Sequence, residues 1–384
     1  MKNPFDTPER AAFRDSFTRF VAEEVTPFVD EWDEAGSVPQ ELHEKIGAFG
    51  PWGLGISEEY GGTGFDDVFI RAEFSRILNS CGASGIAAAV GGRSISIGPL
   101  SRFASDEFRK TVLPEIIAGR AHSSLAITEP GGGSDVANMQ TSAKRDGNGW
   151  CLNGAKAFIT GGMEAEWYVV GARTAPGGLR GISLFLVPAD APGFSRTALE
   201  RKQGWWASSQ ASLFFDDCKL PAESLIGPEN AGFLAIMENF NYERLGMIAG
   251  VLGMMETCYA AALDWARERK TFGKRLIEHQ VISHKFVEMS SRIDMTRAYL
   301  NHICWSIEQG DMPVAELSKA KASSTKALEY VVSECMQVIG GASYIRGNVV
   351  ERAWREVKVM AIGGGSEEIM CDLAARQMKL ADES

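Results

Sequence analysis

The spacing of apolar residues changes period twice along this chain, and that pattern limits the fold more than any other feature of the sequence. Up to about His122 apolar residues return at helical intervals. From Ser123 they come in short runs rich in aromatic and β-branched residues, and from about Asn230 the helical interval returns and persists. A strand needs a period of two and a helix one of 3.6, so no single element holds both. A chain of 384 residues is also too long for one simple core. The expected class is α+β: an N-terminal helical domain over residues 1–122, a middle β-domain over 123–229 and a C-terminal helical bundle over 230–384.

Local signals support this division. The stretch "DTPERAAFRDSFTRFVAEEV" opens with Asp6 as a cap, carries Pro8 in its first turn, and repeats Phe13, Phe17 and Val21 on one face. "SEEYGGTG" predicts a loop, and "DEFRKTVLPEIIAGR" one helix ending near Gly119. "WCLNGAKAFITGG", "WYVVGART", "GISLFLVP" and "ASLFFDDCKLP" predict strands, with "DGNG" as a tight turn. In the last unit Phe233, Met237, Phe240, Ile248, Val251, Met255, Cys258, Ala262 and Trp265 form one stripe. Two further helical stretches, Ile282 to Ile307 and about Val314 to Val338, predict an up-and-down bundle.

Composition narrows the function. A net charge of -11 argues against nucleic-acid binding, which needs a basic face. No apolar run is expected to span a bilayer, and the polar start "MKNPFDTPER" resembles neither a signal nor a transit peptide. Seven cysteines without C-x-x-C spacing predict reduced thiols and a cytoplasmic protein. The chain has no G-x-G-x-x-G opening a helix, no P-loop, no G-x-S-x-G, and no metal-ligand spacing among its five histidines. Demanding chemistry would therefore come from a cofactor held on another scaffold.

Three places carry candidate chemistry. "AITEPGGGSDV" is a donor-rich loop at the helical-to-β junction, built from backbone amides near residues 131–133 and the hydroxyls of Thr128 and Ser134; it also reads as a plain connector. "NGAKAFITGG" sets Phe158 and Thr160 two apart on a strand, on one face, where they could flank a flat heterocycle. In the long stripe, the position between Phe240 and Ile248 holds Arg244, preceded by Glu243. A guanidinium on a buried face is costly unless it is paired or faces a ligand. A surface pair with solvated ends and a polar cavity both remain open there.

The ordered motifs "TEPGGGSD", "NGAKAFITGG", "ERKTFGKRLIEHQ", "QVIGGASYIRG" and "GGGSEEIM" resemble the acyl-CoA dehydrogenase family, and the resemblance covers nearly the whole chain. It implies an acyl-CoA dehydrogenase-like fold whose last unit is a four-helix bundle. It also implies FAD, a fatty or branched acyl-CoA substrate, an electron-transfer flavoprotein as acceptor, and a homotetramer whose subunits complete each other's flavin sites. On that resemblance Leu125, Ile127, Thr128, Gly133 and Ser134 line the flavin, Ser134 also lies toward the thioester, and Phe158 and Thr160 contact the isoalloxazine ring. Arg269, Phe272 and Gln280 meet the FAD diphosphate and adenosine, joined from another subunit by Gln337, Gly340 and Gly341. An arginine fork and close-approaching glycines suit a diphosphate, although "QVIGG" also reads as a helix end.

The family reaction needs a carboxylate at the substrate α-carbon. Many members carry it in the C-terminal glycine turn, where this chain has Gly364. The isovaleryl and long-chain branch places it on a bundle helix before an arginine, which here is Glu243 before Arg244 in "NYER". Glu243 is thus the expected base, with Arg244, Gly364 and Gly365 beside the substrate. Ser366 and Glu368 fall at the flavin end, and Glu367 is left to face solvent or close the site. The small-residue stretch 84–98 is expected along the acyl channel and favours a medium, long or branched chain; Arg93 within it could meet a polar acyl terminus or form a structural salt bridge. The rival readings are an acyl-CoA oxidase or related flavin oxygenase, and a non-catalytic acyl-CoA or FAD-binding scaffold.

Overall fold

A computed structural model describes residues 4–381; residues 1–3 and 382–384, at the two expected outer ends, lie outside the described residues. Eight helices come first: α1 Pro8–Glu24, α2 Val29–Ala35, α3 Gln40–Ala48, α4 Val68–Asn79, α5 Ser84–Gly91, α6 Ser94–Phe103, α7 Asp106–Thr111 and α8 Leu113–Ile117. The cap of α1 is Thr7, not Asp6. Thr7 has the extended backbone a cap needs, and its hydroxyl accepts from the Arg10 amide at 3.2 Å, whereas Asp6 is drawn away by Arg14 at 2.7 Å. The single helix expected over 106–119 is two, joined at Val112. Pro114 lacks the amide proton and its ring crowds the carbonyl four residues earlier, so α8 restarts around it.

The β unit is β1 Ser123–Ala126, β2 Ser142–Asp146, β3 Gly149–Thr160, β4 Trp167–Arg173, β5 Ile182–Pro188, β6 Phe194–Ala198, β7 Gln210–Leu220 and β8 Leu225–Ile226. They form one sheet in the order β6-β7-β3-β2-β4-β5-β8, with β1 parallel to β4. The sheet core is closed by Tyr168, Val170, Phe185 and Val187, while the alternate residues Val169, Leu184 and Leu186 pack into the core of the N-terminal helices. Strands β4 and β5 are thus buried on both faces, which is why their sequences are nearly continuous in apolar residues.

The last unit holds α9 Gly232–Glu268, a small hairpin of β9 Lys270–Thr271 and β10 Lys274–Arg275, then α10 Gln280–Glu308, α11 Val314–Ile339, α12 Val349–Ile362 and α13 Glu367–Gln377. Helix α9 is 37 residues, about 55 Å long at the usual rise. Its first turns, Ile236, Met237 and Phe240, pack into the N-terminal core, and from Leu245 onward it belongs to the bundle core. By length and apolar content α9 passes for a membrane-crossing helix, contrary to the expectation that no such run exists; 61% of its most apolar window is buried inside the protein. Helix α4 crosses it closely. A Cβ at Gly253 would meet the Arg76 carbonyl at 2.1 Å and one at Gly250 the Asn79 amide at 2.7 Å. All seven cysteines are free thiols.

Candidate active site

Glu243 and Arg244 sit where α9 passes from the first core to the second, and that seam explains the interrupted stripe. Arg244 is buried, so the surface-pair reading fails. Its Nη1 donates to Asn241 Oδ1 at 3.1 Å and its Nε to the Gly364 carbonyl at 3.3 Å. Glu243 Oε2 is buried with no hydrogen-bond partner. Burial raises its carboxyl to about 7, opposed by the charges of Arg244 and Lys321. A half-buried carboxylate with one buried, idle oxygen and a pKa near neutrality suits a general base.

The glycine turn after α12 is built around this acid. Gly364 has φ +66, and a Cβ there would meet Met247 Sδ at 2.5 Å and Glu243 Oε1 at 3.7 Å. A carboxylate-bearing side chain cannot stand at 364 while Met247 and Glu243 hold their places. Lys321, fully buried on α11, donates to the carbonyls of Ala361 and Gly365 at 3.1 and 2.5 Å. The sequence reading missed Lys321, although it lies on the buried stripe Leu317, Ser324, Leu328, Val331 and so repeats the Arg244 signal. Met247 offers no comparable signal, since a methionine on an apolar helix face reads as core.

Other nominated residues divide into groups. Gly133 and Ser134 lie on an exposed loop and Thr128 is half-buried, as donors for a ligand require. The segment after β1 that bears Thr128 is braced from behind: Lys156 donates to the Ile127 carbonyl at 3.1 Å and to Glu129 at 2.9 Å. Leu125 is half-buried, but the Ile127 side chain is buried in the core, where it approaches Gly171; only its backbone can face a ligand. Phe158 and Thr160 do not sit on a regular strand. A bulge between Lys156 and Ile159 leaves Phe158 at φ 58 and 63% exposed. A bulky residue in the left-handed region is strained, and a bare aromatic ring held that way marks a surface kept for contact. Thr160 approaches Gly92 between α5 and α6: a Cβ on that glycine would lie 3.4 Å from the threonine methyl. Three residues later the Ile95 carbonyl accepts from Asn239 at 2.5 Å, one helical turn before Glu243. Thr160 and Asn239, one helical turn before Glu243, thus border the same α5–α6 junction.

Arg93 takes neither expected role. It is buried, donates to the Ala121 carbonyl at 3.1 Å, bonds the His122 ring and stacks over Trp52, and among the described residues no carboxylate is in ion-pair contact with it. Ser366 caps α13, with its hydroxyl accepting from the Ile369 amide at 3.5 Å. Glu368 is exposed, and Glu367 pairs with Lys326. Arg269, Phe272, Gln280, Gln337, Gly340 and Gly341 are all exposed at one end of the bundle. Phe272 is 99% exposed at φ 50, and Gly340 is the helix end of α11 at φ 72. Gln337, Gly340 and Gly341 border an open recess of about 410 Å³ with Tyr344 and Trp354. From Glu243 to the end of α9 is roughly 37 Å at the helical rise, so this set lies far along the helix from the buried acid of its own chain.

Family models for the acyl-CoA dehydrogenase N-terminal, middle and C-terminal domains match residues 7–120, 124–218 and 230–379. The mitochondrial long-chain specific acyl-CoA dehydrogenase of Rattus norvegicus is 34% identical over 374 residues, covering 96% of this chain and 86% of the relative. The crystal structure of an acyl-CoA dehydrogenase from Geobacillus kaustophilus has a TM-score of 0.93 at 32% identity, covering 98% of this chain and 100% of the other. A glutaryl-CoA dehydrogenase from Mycobacterium smegmatis, solved in complex with FADH2, has a TM-score of 0.92 at 26% identity, covering 98% and 96%.

Proposed function

Because this chain belongs to the acyl-CoA dehydrogenase family, and is an FAD-dependent oxidoreductase acting on the CH–CH bond of an acyl-CoA, we propose that Glu243 is the base that removes the α-proton. The observation that carries the assignment is the idle, buried Oε2 of Glu243 beside a glycine turn that bears no acid of its own and whose Gly364, at φ +66, would strain any side chain placed there.

The residues present fit the cofactor. The exposed amides and hydroxyl around Gly133 and Ser134, the bare ring of Phe158, Thr160, and the backbone of Leu125 to Thr128 offer one cradle. Arg269, Phe272, Gln280, Gln337, Gly340 and Gly341 offer a second, suited to a diphosphate and a nucleoside. The roughly 37 Å along α9 between Glu243 and the second cradle exceeds what one dinucleotide bridges, which supports a homo-oligomer, a tetramer on the family pattern, whose subunits complete each other's sites. FAD bound there supplies a two-electron acceptor for the hydride leaving the β-carbon.

The chain's own part is proton transfer and positioning. Glu243 must be ionised to act, and a carboxyl poised near 7 is both substantially ionised and basic enough to take a proton at neutral pH. The Arg244 charge opposes the burial that would otherwise keep it neutral. Backbone amides of the turn over 364–366 would meet the thioester oxygen as it gains negative charge. The small residues Ala88, Ala89 and Gly91, half-buried on α5, support a medium, long or branched acyl chain. Electrons then pass to an electron-transfer flavoprotein.

Stopped-flow mixing of FAD-loaded enzyme with a panel of acyl-CoAs under anaerobic conditions tests both assignments. Glu243→Gln should keep its yellow colour and lose about 10³-fold in the rate of flavin bleaching. Normal bleaching in that variant would refute the base, and stoichiometric peroxide from substrate in air would favour an oxidase.

A further inference from the structure

We infer that Lys321 is a positioning residue for the base: from α11 it clamps both ends of the glycine turn and sets its ammonium charge against Glu243. The inference rests on Glu243 being the base. Lys321 is fully buried, and its Nζ donates to the carbonyls of Ala361 and Gly365, one on each side of Gly364. Gly364 in turn accepts from Arg244 Nε, and its Cα faces Glu243 and Met247. The three charged groups therefore share one turn of backbone. Lys321 holds it from α11, Arg244 from α9, and the carboxylate lies against its middle.

A cation closing the carbonyl end of α12 is by itself a common stabilising feature. Two facts make this one more specific. Complete burial of an ammonium is expensive unless a negative charge is near, and among the described residues no carboxylate forms an ion pair with Lys321, whose bonds go to backbone carbonyls. Its electrostatic partner is Glu243, while burial holds its own pKa down at about 8. The other charged groups packed around α9 are engaged elsewhere. On α4 Arg71, over the Tyr242 ring, pairs with Asp66 at 2.7 Å and Arg76 is held by Glu73 and Glu256, and on α6 Arg102 pairs with Glu238. On α10 Arg297 also pairs with Glu256, and on α13 Glu367 pairs with Lys326 while Glu368 is exposed. Glu356 on α12 is capped by Ser84 and Gly85. Among the described residues, the charges that act on Glu243 are those of Arg244 and Lys321.

The test compares FAD-loaded wild type, Lys321→Gln, Lys321→Met, Lys321→Arg and Glu243→Gln. Two measurements are made across pH 5–9: the anaerobic flavin-reduction rate, and a difference infrared titration of the Glu243 carboxyl without substrate. Glutamine keeps a donor for the carbonyls but no charge, so Lys321→Gln should move both the kinetic limb and the carboxyl titration upward by about one pH unit. Lys321→Met should move them equally and also slow reduction at saturating pH, because the turn loses its clamp. Lys321→Arg should hold the wild-type midpoint. If neither uncharged variant moves the carboxyl titration, the inference is overturned. If either uncharged variant fails to fold, the other supplies the midpoint; if both fail while Lys321→Arg folds with a displaced midpoint, the inference is likewise overturned. A kinetic limb that survives in Glu243→Gln would instead refute Glu243 as base and leave the infrared result to judge Lys321 separately.

Discussion

At the scale of single residues, the site depends on which side chains are missing as much as on those present. Gly364 is in the left-handed region with Met247 Sδ 2.5 Å from where a Cβ would stand. Gly364→Ala therefore meets both backbone strain and a clash. It should cost about 1–3 kcal/mol, read as a lower denaturation midpoint, and slow flavin reduction because the turn shifts from Glu243. Glu243 itself should weaken the fold above neutral pH. Its carboxyl is raised in the folded protein to about 7 from an ordinary 4.5, so the folded state binds the proton more tightly. Stability is then lost as pH climbs through that interval and levels off above it. Glu243→Gln should be the more stable protein at pH 8, by about 3 kcal/mol, with the gap closing toward pH 4.5. Thermal melts of the two at matched FAD content check this. Glu356, also raised to about 7 by burial, keeps its own similar dependence in both proteins, so only the difference is diagnostic. Glu243 and Arg244 were legible in the sequence because a charge interrupts an apolar stripe. Lys321 interrupts another in the same way, and Met247 interrupts nothing.

At the scale of elements, the period changes were the most readable feature, and long helices the easiest part. Errors came where a neighbour in space overrode a local signal. Thr7 caps α1 because Arg14 takes Asp6, whereas the break before α8 is a local signal, Pro114, set in a stretch whose spacing suits one helix. The bulge at Phe158 could not be seen in "NGAKAFITGG", since it is a property of pairing with β7. The crossing of α4 over α9 offers a sharp test. Gly253→Ala would press a methyl against the Arg76 carbonyl, which cannot swing aside as a side chain would. The variant should lose about 2 kcal/mol or more in chemical denaturation and displace the α9 segment that bears Glu243. Ala at Gly91, where nothing lies within 4 Å, should leave stability nearly unchanged and report on the acyl channel through KM.

At the scale of the molecule, the α5–α6 junction brings Thr160 of the sheet and Asn239 of α9, one turn before Glu243, to one border, while the exposed hairpin with Arg269 and Phe272 stays far down α9. If subunits share the cofactor, Arg269→Ala should lose FAD, measured by absorbance after gel filtration, although it lies far from the acid of its own chain. Retention of full FAD by that variant as an assembled oligomer would count against shared sites. The sequence by itself determined the alternation of helical, β and helical stretches and the family, and it singled out Glu243 as the candidate base, because periodicity and ordered motifs are properties of neighbours along the chain. Only the tertiary structure decided that Arg244 is buried, that Arg93 braces the interior, that Met247 excludes a side chain from 364, and that Lys321 joins the acid from another helix. Those facts depend on which surfaces meet across long separations, and close packing rather than local spacing settles them.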